Sequence, residues 1–202
     1  MIRKKNDCTA TKVSMNFIAE HIKRVASKLD TGSVSDLVDD IIGAKEIFLM
    51  GAGRSGLAAK AFAMRLMHME FKVHVVGETT APAVQPEDLV IAVSGSGETT
   101  SIANLGAISK KIGSKLATIT SNKDSTLGNI SDVVVIIPGR PKDDLDYEDY
   151  QERRMIGQTQ FAPLGTLFEI SALVFMDSVI SELMVRNGAN EADLNMRHTI
   201  FE

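Results

Sequence analysis

Over the first 44 residues apolar side chains recur at three- and four-residue spacing, and from Lys45 onward they arrive in short continuous runs instead. The first pattern is that of amphipathic helices packed on one face, the second that of strands buried on both faces. In "TATKVSMNFIAEHIKRVASKL", Val13, Phe17, Ile18, His21, Ile22, Val25 and Leu29 form one stripe. "DTGSVSDLVDDIIGA" then reads as a turn, a serine N-cap and a short helix closed by glycine. Beyond it "EIFLMG", "KVHVVG", "DLVIAVS", "KLATITS" and "DVVVIIPG" are five strand-sized apolar runs. Helical patterns separate most of them: "SGLAAKAFAMRLMHME", "TTSIANLGAISKKIG" and the short "STLGNIS". Such alternation predicts an α/β fold, a three-layer doubly wound five-stranded parallel sheet preceded by N-terminal helices.

The charged run "RPKDDLDYEDYQERRMIGQTQFAP" interrupts the alternation and reads as an exposed loop or a partner-contact segment. The last helical pattern, "GTLFEISALVFMDSVISELMVRNG", is apolar almost all round, which predicts burial in the fold or in a subunit interface. With no repeat or linker visible, residues 1–202 read as one domain: a helical segment at 9–44, an α/β core at 45–188 and a polar tail at 189–202.

Composition narrows the function. The hydrophobic fraction of 44% over 202 residues is enough for a sizeable core. A net charge of −4 and a pI near 5.6 give no general attraction for nucleic acid or anionic membranes. Cys8 is the single cysteine, so an internal disulfide and a multi-cysteine metal site are excluded. The basic N-terminus lacks the apolar core of a secretory signal, and no apolar run approaches the ~20 residues that span a bilayer. A cytoplasmic location is the expectation.

Two loops carry the candidate chemistry. "GAGRSG" (residues 51–56) follows the first strand, and Ser94 to Thr100, with four hydroxyls and two glycines, follows the third. In open parallel sheets, ligands bind beyond the carboxyl ends of the strands, and a helix N-terminus there offers unpaired N–H groups to an anion. Ser94, Ser96, Thr99 and Thr100 can donate to phosphate oxygens. A simpler reading is that Ser96 and Thr99 only cap the next helix, but one cap needs one hydroxyl. No lysine occupies the Walker position, and "GAGRSG" lacks the third glycine of a dinucleotide fingerprint, so nucleotide cofactors are not expected. A monophosphate on a small molecule fits better.

With "FAPLGTLFE" opening the last helix and "RH" near the terminus, these motifs resemble a sugar isomerase (SIS) domain over nearly the whole chain. In detail the pattern is similar to the 6-phospho-3-hexuloisomerase family. The resemblance implies a flavodoxin-like SIS fold, a homotetramer and no metal or other cofactor. It also implies interconversion of D-arabino-hex-3-ulose 6-phosphate with fructose 6-phosphate in the ribulose monophosphate pathway of formaldehyde fixation. Its phosphate-binding positions fall on Ser94, Ser96 and Thr99, its first-strand loop on Gly53, Arg54 and Ser55, and its catalytic carboxylate on Glu169.

Moving a ketone between C3 and C2 requires taking a carbon-bound proton and passing through a 2,3-enediol, work for one positioned carboxylate and a second group serving the oxygens. Glu169 stands in an otherwise apolar helix start, where a carboxylate needs either a partner or a task, although a first-turn acid also suits the helix dipole. His68 and His198 are the candidates for the second group, with His198 placed to reach a neighbouring subunit. His21 and His74 read as structural. Arg54 reads as a contact to phosphate or to a sugar hydroxyl. Glu98, an acid inside an anion loop, is expected to point away from the ligand. Rival functions are another aldose–ketose isomerase, for arabinose 5-phosphate for instance, and a non-catalytic sugar-phosphate sensor.

Overall fold

A computed structural model describes residues 9–139, 162 and 165–188. Helices α1 (Thr9–Lys28) and α2 (Thr31–Gly43) precede β1 (Ile47–Gly51), α3 (Gly53–His68), β2 (Val73–Val75), β3 (Leu89–Val93) and α4 (Thr100–Ile112). There follow β4 (Lys115–Thr120), α5 (Thr126–Ile130), β5 (Val133–Ile136) and α6 (Thr166–Asn187). The five strands are all parallel in the order β2-β1-β3-β4-β5.

The apolar runs become strands because each presents large side chains to both faces. From β1, Ile47 and Leu49 join a core with α2, α3 and α6, while Phe48 and Met50 join a second core with α4 and α5. Two covered faces make three layers. The α1 stripe holds as read: His21 and Val25 are buried, and Val13, Phe17, Ile18, Ile22 and Leu29 are half-buried. The α2 cap is different from the expected serine. Asp30 is the N-cap residue, and its carboxylate accepts from the N–H groups of Gly32 and Ser33, so the helix starts where a turn was expected. An aspartate two and three residues ahead of unpaired amides outcompetes a serine further along.

Helix α6 is buried along one face only, through Phe168, Ala172, Phe175, Met176, Val179 and Leu183, whereas Val174 and Val185 are exposed at 39% and 79%. Burial all round is therefore not met within one chain. Among the described residues no helix is long and apolar enough to cross a membrane.

Strand order positions the site. The β1–α3 connection leads to β2 on one side of the sheet, while the β3–α4 connection leads to β4 on the other. The switch point lies between β1 and β3, whose ends are level, Gly51 standing opposite Val93.

Candidate active site

Three helices begin at this end of the sheet, α3, α4 and α6, and none of the three has a side-chain cap. By contrast, Asp30 caps α2 and Ser125 caps α5, each through a side-chain oxygen. The capping explanation of the hydroxyl loop therefore fails where it was needed. Thr99 is the N-cap residue of α4, yet its side chain makes no capping bond. Ser94 Oγ instead accepts from Gly97 N–H at 3.2 Å, and Ser96 Oγ accepts from Glu98 N–H at 3.1 Å. The N–H groups of Thr99, Thr100 and Ser101 have no acceptor among the described residues. Ser94 is buried at the root of the loop, Ser96 and Thr100 are exposed, and Thr99 is half-buried beside Ser94 Oγ, which donates to Thr99 Oγ1 at 3.4 Å. The loop has the donors and the open face that an anion requires.

The start of α6 packs directly on this loop. A Cβ on Gly95 would lie 2.9 Å from Phe168 Cδ1, so only glycine leaves room for that ring. From the other side, Ser121 N–H and Ser121 Oγ donate to Gly95 O at 3.0 and 2.6 Å, with Thr120 Oγ1 at 3.3 Å. Phe168, Thr120 and Ser121 were not singled out from the sequence. The hydroxyls closing "KLATITS" were the available signal, because a strand buried on both faces has little use for them at its end.

Glu169 follows Phe168 and has a partner. Arg54 Nε donates to Glu169 Oε2 at 2.6 Å, across 115 residues of sequence. The carboxylate is 17% exposed and the guanidinium 56%, so the pair lies at the mouth of the site rather than inside the core. Gly165, at φ 85°, allows the carboxylate to fold back over the start of its own helix, since a Cβ there would stand 2.9 Å from Glu169 Oε1. The burial argument for a catalytic task is thereby weakened, because Glu169 is paired. Its place in the fold still favours a task, because Glu169 directly follows Phe168, the residue seated on Gly95 of the hydroxyl loop. Gly53, Arg54 and Ser55 form the uncapped first turn of α3 alongside.

The histidines divide. His68 is the last residue of α3, so it lies 14 residues and about 21 Å of helix away from Arg54, buried at the opposite end of the sheet. One chain does not bring His68 to Glu169. His198 lies outside the described residues. His21 Nε2 donates to Pro138 O at 3.0 Å, and His74 Nε2 pairs with Glu46 Oε2 at 2.7 Å, so both tie elements together away from the switch point. Glu98 is turned toward α5, where Thr126 N–H and Thr126 Oγ1 each donate to its carboxylate at 2.7 Å. Among the described residues no group of three or more His, Cys, Asp or Glu side chains is placed to hold a metal ion.

A doubly wound protein that gathers three uncapped helix starts at its switch point is built to take a small anionic ligand. Residues 40–147 match the SIS domain, and the chain belongs to that family. It is 38% identical over 191 residues to a Bacillus subtilis protein named 3-hexulose-6-phosphate isomerase, covering 92% of this chain and 97% of the relative. A Mycobacterium gastri protein of the same name is 35% identical over 189 residues, covering 94% and 90%. A crystal structure from Methanococcus jannaschii, described as inferring a molecular function of 3-hexulose-6-phosphate isomerase, superposes with a TM-score of 0.76 at 32% identity. It covers 95% of this chain and 98% of that one.

Proposed function

We propose that this chain is a phosphosugar isomerase that interconverts D-arabino-hex-3-ulose 6-phosphate and fructose 6-phosphate through a 2,3-enediol. The observation that carries the reading is the Arg54–Glu169 pair at 2.6 Å, whose glutamate directly follows Phe168, the residue packed on the hydroxyl loop. Two relatives 38% and 35% identical, both named 3-hexulose-6-phosphate isomerase, support it. The 6-phosphate is held by Ser94, Ser96, Thr99 and Thr100 and by the first amides of α4. That anchor directs the sugar carbons toward the start of α6.

Glu169 takes the C2 proton of the hexulose, the C2–H electron pair becomes the C2=C3 bond, and the C3 carbonyl oxygen becomes the enediolate oxygen. The O2 proton passes to O3, and return of the carbon-bound proton from Glu169 to C3 leaves the C2 ketone and C3 hydroxyl of fructose 6-phosphate. A base so placed accounts for about 10²–10⁴ in rate. Arg54 holds Glu169 through Nε, and its two terminal nitrogens have no partner among the described residues, so they are left for the substrate oxygens on which charge develops.

A histidine serving O2 and O3 comes from His198, or from His68 of another subunit, because the length of α3 removes His68 from its own chain's site. The test supplies ribulose 5-phosphate, formaldehyde and a hexulose-phosphate synthase and measures fructose 6-phosphate. Turnover of arabinose 5-phosphate with no fructose 6-phosphate formed overturns the substrate. Binding of phosphosugars with no turnover of any turns the reading to a sensor. Glu169→Gln is expected to bind fructose 6-phosphate normally while losing at least about a hundredfold in kcat.

A further inference from the structure

We infer that Glu98 is a positioning residue of the anion loop, the strut through which the start of α5 holds the loop's donors toward the ligand. The inference rests on the phosphate reading of that loop.

The loop's polar groups divide by sign. Three acceptors of the loop, the Gly95 and Gly97 carbonyls and the Glu98 carboxylate, are engaged from the β4–α5 side. Gly95 O accepts from Thr120 and Ser121, Gly97 O accepts from Leu127 N–H at 3.1 Å, and the Glu98 carboxylate accepts twice from Thr126 at 2.7 Å. The amides of Thr99, Thr100 and Ser101 take no such partner among the described residues. The loop is thus polarised, with these three acceptors drawn to one neighbour and the α4 amides left for the ligand. Among the described residues, Glu98 is the only side chain of residues 94–100 that hydrogen-bonds across to α5, and it does so at an exposed position where packing does not hold it. The two Thr126 donors, the hydroxyl foremost, keep its carboxyl below the usual carboxylate range, so both bonds stay charge-assisted at neutral pH. Losing them frees the loop to turn its acceptors toward the anion.

Glu98→Ala and Glu98→Gln separate this role from simple charge. In Glu98→Gln the amide oxygen still accepts from Thr126 N–H and its NH₂ donates to Thr126 Oγ1, so the strut survives without the charge. Affinity for fructose 6-phosphate and for inorganic phosphate is measured by calorimetry, with amide exchange at residues 97–101 and thermal melting alongside. Glu98→Ala should weaken both ligands by about five- to tenfold and speed exchange of the loop amides. Glu98→Gln should stay within about twofold of wild type, and Thr126→Val should reproduce part of the alanine effect. Unchanged or tighter binding in Glu98→Ala overturns the inference, and so does an equal loss in Glu98→Gln. Wild-type protein that binds fructose 6-phosphate without turning over any sugar, while Glu98→Ala still loses affinity, refutes the isomerase reading and leaves the strut standing. Wild-type protein that binds neither ligand refutes both.

Discussion

Replacing Arg54 by methionine keeps the aliphatic stem and removes the guanidinium, and its two consequences should differ greatly in size. The pair it breaks is short, 2.6 Å, but Arg54 is 56% exposed. An ion pair with one partner so open to solvent contributes roughly 0.5–1 kcal/mol to folding, which for a domain of this size is a fall of about 1–4 °C in Tm. Turnover should suffer more. Without Arg54 Nε the Glu169 carboxylate is free to leave its paired geometry, and the proposed donors for the enediolate oxygen are gone as well. A misplacement of about 1 Å costs about 10²-fold, and loss of an oxyanion donor about 10²–10³-fold. The two effects overlap, so kcat in Arg54→Met should fall by about 10²–10³ with Tm nearly unchanged. Fructose 6-phosphate is read through phosphoglucose isomerase and glucose-6-phosphate dehydrogenase as NADPH, next to a melting curve. Because both residues act on one proton transfer, Arg54→Met combined with Glu169→Gln should be little worse than Glu169→Gln alone. A kcat within about threefold of wild type in Arg54→Met would refute the reasoning, as would a fully additive double variant.

Gly95→Ala should push the Phe168 ring from a 2.9 Å contact, costing about 1–3 kcal/mol in stability, and should lower kcat more than it raises KM because Phe168 carries Glu169; a melting curve and steady-state kinetics check both. Ser96→Ala should raise KM several-fold with kcat within about twofold of wild type, and an unchanged KM removes that hydroxyl from the phosphate site. His21 is held neutral by burial, which lowers its proton affinity against the Pro138 carbonyl bond that works to raise it. The unfolded chain therefore protonates His21 first, and stability present at pH 7 should decline as pH falls below about 6.5. Chemical denaturation at stepped pH should show that decline, and His21→Gln should flatten it.

The period of the apolar positions determined most of the fold without help from tertiary contacts. Strands such as "FLMG" and "LVIAV" follow from continuous apolar runs, and α1 from a stripe with a 3.6-residue repeat, because burial of those side chains is specified residue by residue. The loop proposed to hold the anion was visible there too, as hydroxyls and glycines clustered ahead of a helix beyond what one cap needs. The distance between His68 and Arg54 was also within reach of the sequence, since one unbroken helix fixes it. Capping at α2 went to Asp30 because side-chain competition for a few amides turns on local geometry that periodicity does not encode. The Arg54–Glu169 pair, the seating of Phe168 on Gly95 and the turn of Glu98 toward Thr126 were decided only by the tertiary structure. Each joins elements that helix packing and strand order bring together across 28 to 115 positions of sequence. An arginine, a glutamate or a glycine in the sequence carries no mark of which distant neighbour it will meet.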